Sequence, residues 1–239
     1  MFPNQETDST RFMYSDLRID PDSGPVRDQV VSVLKRALFS GRFVPGQRLT
    51  ERSLCEWTGA SRPAVREGLR QLEAEGLIEI TPNRGPSVVK LGPKECSEIF
   101  TVRAELESLL CRLAVPRVQP HHIVRLRQAA SAYRNGVELE RLQMIVSAKE
   151  AMYDVLFELA DNRELRATLQ GMIKRLGLIW SQIMFDRHQS AISADEIERI
   201  TNCISIGDTD TAEQAMRAHL TAAAERVAAW HAGDKRARI

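Results

Sequence analysis

The stretch "ASRPAVREGLRQLEAEGL", residues 60–77, decides how the first third of the chain folds. Arg62, Arg66 and Arg70 recur every four residues, and Val65, Leu69 and Leu72 recur beside them at helical spacing. At about 100° per residue the arginine row drifts roughly 40° per step, so it runs alongside the apolar edge and not into it. Ser61 precedes the run as a cap residue, and Pro63 falls in the first turn, where its missing N–H would have no partner anyway. The pattern predicts a helix that packs through one edge and points arginines outward from its first turns. Such a helix can enter a DNA major groove while anchored in its domain, and the arginine fork suits guanine O6 and N7 or phosphate oxygens. The competing reading is a solvated face whose arginines pair with Glu67, Glu73 and Glu75.

The flanks weigh against that alternative. Upstream, "VRDQVVSVLKRALFSG" places Val26, Val30, Val33, Leu34 and Leu38 on one helical face and stops at Gly41. Pro45-Gly46 marks a turn, and Thr50 caps a short helix, "ERSLCEWTG", with Glu51 near its positive end. Downstream, Ile78 and Ile80 alternate with polar residues, residues 82–85 are turn-rich, and Val88-Val89 begin a second strand. Helix, helix–turn–helix and hairpin, in that order, describe a winged helix–turn–helix. Arg84-Gly85 would form the wing tip, where glycine lets the main chain approach a nucleic-acid backbone.

Beyond Pro93 the pattern is helical, with almost no strand signal. Helices are expected at about 93–115, 120–135, 137–160, 162–187, 192–206 and 208–231, with breaks at Pro116/Pro120, Asn135-Gly136, Asp161-Asn162, His188–Ser190 and Gly207-Asp208. Six such helices make a bundle with its own core. The expected fold class is mainly α. Residues 1–24 are read as a flexible polar tail, 25–91 as the winged helix–turn–helix, 92–232 as an all-helical effector-binding and dimerisation domain, and 233–239 as a second tail.

The formal net charge of the whole chain is only +1, but residues 27–92 carry 11 basic and 7 acidic side chains, while 93–239 carry 20 of each. The one basic block coincides with the winged region. Cys55, Cys96, Cys111 and Cys203 are scattered without CxxC spacing, which argues against a disulfide framework or a cysteine zinc site. No apolar run approaches the roughly 18 residues of a membrane span, and the acidic N-terminus lacks the features of a signal peptide. A cytoplasmic protein with no membrane partner is expected.

With these elements in place, residues 41–89 resemble the DNA-binding domain of the GntR family of bacterial transcription regulators. The matching residues are Pro45-Gly46, Leu49, Glu51, Ser61-Arg62, Val65-Arg66-Glu67, Leu69, Glu75-Gly76-Leu77 and Asn83-Arg84-Gly85. The resemblance implies DNA contacts at Arg52, Ser61, Arg62, Arg66, Arg84 and Gly85. The second half is similar to the all-helical FCD domain of the FadR-like subfamily, through "VRAELESLLCRLAV" and "GDTDTAEQAMRAHL". Many FCD domains hold a metal on one aspartate and three histidines. The corresponding positions here are Lys149, Tyr153, Ile197 and His219, which cannot supply three or four ligands. No metal and no cofactor are therefore expected.

Lys149 in place of an acid, with Tyr153 one turn on and His219 and Arg103 as further donors, instead suits an anionic effector such as a small organic acid. Trp180, Met184, Met152 and Met172 are candidate walls, or simply core. Taken together, the resemblance implies a bacterial, homodimeric, ligand-responsive regulator, a repressor of a metabolic operon, which binds a palindromic double-stranded operator and is nucleoid-associated when bound. The alternatives are a metal-dependent sensor of the same family, a ligand-free architectural DNA binder, and an enzyme in the helical domain. Against the enzyme, no paired nucleophile and base and no phosphate-binding glycine loop occur.

Overall fold

The helix α1, Val26–Phe39, buries Val30, Val31, Val33, Leu34, Ala37 and Leu38, the face its periodicity predicts. The chain leaves it through Gly41 at φ 74°. In the computed structural model, residues 17–183 and 187–233 are described, without the side chains of residues 21 and 180–188. The chain divides into two units, Met1–Lys90 and Leu91–Ile239.

In the first unit, α2 spans Glu51–Thr58. Thr50 caps it by accepting the Ser53 N–H at 3.1 Å, and Gly59 ends it at φ 75°. The next helix, α3, spans Arg62–Ala74 and buries Val65, Gly68, Leu69 and Leu72. Gly68 is where α3 closes on α1: a Cβ there would lie 2.9 Å from Val30 Cγ1. Ser61 occupies the N-cap position with extended geometry, but its hydroxyl makes no capping bond, contrary to the sequence expectation.

Strands β1 (Ile78–Thr81) and β2 (Gly85–Val88) pair antiparallel, with Ile78 opposite Val88 and Thr81 opposite Gly85. The second strand therefore ends at Val88, where the sequence suggested it begins. Ile78 is buried, yet Ile80 is 40% exposed because the far half of the hairpin extends beyond the core. The 47–49 segment, read only as following a turn, joins the hairpin's other edge. Leu49 N–H donates to Pro86 O at 2.8 Å and Val88 N–H to Gln47 O at 2.9 Å.

Residues 17–24, expected to belong to a mobile tail, are fastened to this unit. Leu17 is buried, Ile19 N–H donates to Thr58 O at 3.0 Å, and the Gln29 amide bonds the Asp20 backbone on both sides. A single apolar side chain and a few main-chain bonds suffice, too local a pattern for periodicity to reveal. Residues 1–16 and 234–239, the bulk of both expected tails, lie outside the described residues.

The second unit consists of α4 (Pro93–Ala114), α5 (Pro120–Glu138), α6 (Leu142–Ala160), α7 (Arg163–Ile183), α8 (Arg187–Ser205) and α9 (Thr209–His231). Helix α4 packs along α9, α5 along α6, and α8 against both α5 and α9, while α4 also reaches α6 and α7. Leu110, Cys111, Leu126, Tyr133, Leu156, Leu176, Ile200, Ile204 and Met216 form the centre of its core. All four cysteines are free thiols, three of them buried and Cys55 partly so.

Two expected breaks are displaced. Helix α5 runs through Asn135-Gly136 to Glu138, and the turn follows at Glu140, φ 53°. Gly136 is not a turn residue but a contact: a Cβ there would lie 2.9 Å from Ile145 Cγ1 and 3.0 Å from Ile145 N. The expected break at His188–Ser190 is helical, since α8 begins at Arg187. The side chains of Trp180, Met184 and His188 are outside the described set, whereas Met152 is buried and Met172 partly buried.

Candidate functional site

The arginine row lies on the exposed face of α3, as its spacing predicts. Arg62, Arg66 and Arg70 are all exposed on α3. Glu75 is taken by Lys35 Nζ at 2.7 Å, and Glu73 Oε1 accepts Ile80 N–H at 3.1 Å. Of the three acids proposed to neutralise the row, Glu67 reaches it, 3.6 Å from Arg70. Arg70 is thus the member tied to its own helix.

Arg66 is held differently. Its Nε donates to Glu51 Oε1 and its Nη2 to Glu51 Oε2, each at 2.9 Å. That hydrogen bonding holds the Glu51 carboxyl below its usual range. Glu51 opens α2, where the helix dipole also favours a carboxylate. The pairing occupies the Nε–Nη2 side of the guanidinium and does not use Nη1, and the Nη1–Nη2 end is one that can reach guanine O6 and N7.

Arg52 is paired along its own helix with Glu56 at 3.0 Å and stays 84% exposed. Ser61 and Arg62 are exposed at the start of α3. Arg84 is exposed at the hairpin turn, its N–H bonded to Thr81 O at 3.1 Å, after Asn83 at φ 65° and before Gly85 at φ 78°. Arg48, which the sequence reading passed over, approaches the same tip: its Nη2 lies 3.9 Å from where a Cβ on Gly85 would sit.

In the helical unit a second cluster forms. Arg103 on α4 is 4% exposed; its Nε donates to Glu107 Oε1 at 2.6 Å and its Nη2 to the Tyr153 hydroxyl at 3.0 Å. Tyr153, on α6, donates in turn to Glu107 Oε2 at 2.7 Å. Burial, then the Glu107 charge, pushes the Tyr153 phenol far up, so it acts as a neutral donor. Lys149 lies one turn before Tyr153 and is partly buried, its Nζ 5.9 Å from the Tyr133 ring centre. Burial, then the neighbouring charge of Arg103, lowers Lys149 to about 8. Glu107, Arg226 and Glu196 also act on it.

His219, on α9, is buried with Nδ1 2.6 Å from Glu196 Oε2. Burial works to raise Glu196, but His219 and Arg226 outweigh it and hold the carboxyl at about 2. Glu196 is therefore ionised and can only accept, so His219 Nδ1 carries the proton. Burial, the largest effect, lowers the His219 pKa. Arg226 donates to the same carboxylate through Nη1 at 3.3 Å and Nη2 at 3.0 Å.

The sequence analysis singled out Arg103, Lys149, Tyr153 and His219 but missed Glu107, Glu196 and Arg226. A signal existed for two of them. Glu107 stands four residues after Arg103, and Arg226 stands seven after His219, each on one helical face. For Glu196 the expected position was one residue off: Ile197 is buried in the core, and its neighbour Glu196 faces His219.

These residues do not fit a metal ion. Lys149 is a cation precursor where an acid would stand, the Tyr153 hydroxyl is consumed by Arg103 and Glu107, and His219 Nδ1 is consumed by Glu196. Among the described residues, His121, His122 and Glu158 bring ligand atoms within 4.8 Å of one another. That group is committed elsewhere: His122 Nδ1 accepts Gln119 N–H at 3.2 Å and Glu158 Oε2 accepts Arg125 at 2.7 Å. Metallating His122 Nε2 would move a proton to Nδ1 and break the helix cap.

No helix among the described residues is long and apolar enough to cross a membrane.

Two family models match the chain, one over each unit. Residues 26–88 match "Bacterial regulatory proteins, gntR family", and residues 98–222 match the "FCD domain". The uncharacterized HTH-type transcriptional regulator Rv0494 of Mycobacterium tuberculosis is 29% identical over 87% of this chain and 91% of its own length. The uncharacterized HTH-type transcriptional regulator YdhC of Bacillus subtilis is 29% identical over 65% of this chain and 69% of its own. Among solved structures, Escherichia coli McbR/YncC superposes with a TM-score of 0.75 at 19% identity, over 85% of this chain and 97% of that one. A GntR regulator from Rhodococcus sp. RHA1 gives 0.73 at 19% identity, over 84% and 96%. At that identity the structures show the shared fold alone. The two matched families, in this order and over these residues, place the chain in the GntR family of bacterial transcription regulators, as a DNA-binding regulator with an FCD effector-binding domain and not an enzyme.

Proposed function

We propose that the protein is a homodimeric repressor of a metabolic operon, which grips a palindromic operator through Arg52, Ser61, Arg62, Arg66, Arg84 and Gly85 and responds to a small organic acid held by Arg103, Lys149, Tyr153 and His219. One α3 helix reads only a few base pairs, and a two-fold pair reading two half-sites is the physical remedy. The effector acts by population shift: it favours one spacing of the two winged heads, and only one spacing fits the operator.

The observation that carries the effector class is the crowding of positive charge around Lys149. Burial and Arg103 together pull its pKa to about 8. A carboxylate placed there would add a favourable counter-charge to this group of cations.

The test is a thermal-shift screen of straight-chain carboxylates, their hydroxy and oxo acids, and short dicarboxylates, followed by operator titration with each stabiliser. A binder at a hundredfold excess over Kd stabilises by roughly 2.7 kcal/mol. Lys149→Ala should weaken the response and leave operator affinity unchanged. A neutral effector, or full response in Lys149→Ala, overturns the effector class. A monomer that binds single half-sites overturns the dimer.

A further inference from the structure

Arg48 stands on the short segment that joins the hairpin's second edge. On either side of it, Val88 N–H donates to Gln47 O at 2.9 Å and Leu49 N–H to Pro86 O at 2.8 Å. Between those bonds Arg48 is opposite Ser87. An antiparallel pair that is not itself hydrogen-bonded brings its two side chains close together. Leu49 is buried, so the alternation along the segment turns Arg48 outward, and the residue is exposed.

Ser87 faces Glu79 on the other strand, and Gly85 faces Thr81. Residues directly opposite or two apart share a face, which puts Arg48, Ser87, Glu79, Gly85 and Thr81 on one side of the hairpin. Ile78 and Val88 are buried on the other side. Glu79 Oε1 accepts the Ser87 hydroxyl at 3.3 Å. The Arg48 guanidinium does not cross to that carboxylate but reaches toward the tip, where Nη2 lies 3.9 Å from the place a Cβ on Gly85 would take. Apart from the adjoining residues, nothing else among the described residues comes within 4 Å of that place. Among the described residues no carboxylate pairs with Arg48, whereas Arg52, Arg66 and Arg70 each meet one. The bare main chain of Gly85, at φ 78°, is thus flanked by one exposed arginine from its own turn, Arg84, and by a second from a segment 37 positions earlier.

We infer that Arg48 is a further DNA-contacting residue, whose guanidinium binds the same backbone phosphate that the Gly85 main chain admits. The inference rests on the reading that Arg84 and Gly85 form the wing's contact with DNA. A phosphate oxygen seated against the open side of Gly85 comes within reach of Arg48 Nη2, and the arginine fork suits it. The contact carries no sequence information; it fixes where the wing lies along the duplex.

The test uses the full-length protein, a duplex selected from a randomised pool by the wild type, and a duplex of unrelated sequence. Arg48→Gln removes the charge from an exposed side chain, so melting temperature should hold. Affinity for both duplexes should fall by roughly tenfold, the scale of a hydrogen bond to a charged group, and the slope of log K against log salt should become shallower by about one. Arg48→Lys should recover most of the loss, because a phosphate accepts a point charge without a planar fork. Single neutral methylphosphonates placed along the selected duplex then locate the contact. At one phosphate the substitution should weaken the wild type and leave Arg48→Gln unchanged. Equal losses in the two proteins at every phosphate overturn the inference, because the charge then acts from a distance. A loss confined to the selected duplex, unrescued by lysine, also overturns it, since Arg48 would then read a base. If Arg84→Ala weakens binding and Arg48→Gln does not, this inference alone falls. If neither weakens binding, the wing reading fails, and this inference with it.

Discussion

Arg66 and Glu51 face each other side-on across the helix–turn–helix, Nε to Oε1 and Nη2 to Oε2, both at 2.9 Å. An acid so close to an arginine proposed to face DNA would be expected to weaken binding. Its geometry argues the reverse for sequence-specific binding, because it fixes the arginine through Nε and Nη2 and leaves Nη1 out of the pairing.

Glu51→Gln should therefore have opposite effects on two kinds of DNA. Removing a negative charge raises affinity for random duplexes. Loosening Arg66 lowers the preference for the operator, with the ratio of operator to random affinity falling by roughly tenfold. Competition anisotropy at fixed salt measures both. Parallel gains on both DNAs would show that Glu51 contributes charge alone.

Arg62→Ala and Arg66→Ala should each cost roughly 1–3 kcal/mol of operator binding, the range for one good base contact. Both residues are exposed, so melting temperature should hold. Unchanged operator affinity in both variants would remove α3 from the groove.

Arg84→Ala acts at the wing, where the side chain is exposed at the hairpin turn. Operator and random DNA should weaken by similar factors, and the slope of log K against log salt should become shallower by about one. A change confined to one base pair of the operator would show the wing reading bases.

Gly136→Ala tests the α5–α6 contact. Alanine favours a helix over glycine by about 1 kcal/mol. The new methyl would lie 2.9 Å from Ile145 Cγ1 and 3.0 Å from Ile145 N, and the backbone atom cannot give way easily. Overpacking of this kind costs typically 1–3 kcal/mol, so the net change should be a loss, read as a lower denaturant midpoint. A gain in stability would mean that the two helices separate freely.

Lys149 sets a pH signature for anion binding. Its pKa in the free protein is lowered to about 8, first by burial and then by Arg103. The unfolded chain keeps its lysine protonated to higher pH, so this group costs stability below pH 8 and the cost fades as pH rises toward its ordinary value of 10.5. The charged form attracts the anion. Affinity for a carboxylate probe such as 2-hydroxybutyrate should hold below pH 8 and fall above it, by up to roughly tenfold per pH unit until the bound-state pKa is passed. Lys149→Met should bind weakly with a flat profile. A wild-type profile that is flat from pH 7 to 9.5 would separate Lys149 from the anion.

The winged half was legible because its signals are local. Val65, Leu69 and Leu72 set the buried edge of α3, Thr50 and Gly59 bound α2, and Asn83 to Gly85 turn the hairpin. Each involves residues within a few positions of one another, where backbone geometry dictates which side chains share a face. The six helices of the second half were legible for the same reason, but their ends were not. Gly136 carries the same letter whether it ends a helix or lets one approach another, and only the neighbouring Ile145 decides between the two.

What the tertiary structure alone decided is which side chains meet. Arg66 meets Glu51 across 15 residues, His219 meets Glu196 across 23, and Tyr153 meets Glu107 across 46. Sequence similarity pointed to position 197, whereas the side chain that meets His219 is Glu196. On a helix a shift of one residue turns the side chain by about 100°, which here separates a core isoleucine from a partly buried carboxylate. The sequence alone determined the elements and their apolar faces. The rotation of each helix about its axis, and hence the membership of the polar cluster, came only from packing one helix against another, because that rotation is chosen by the side chains of elements far away in the chain.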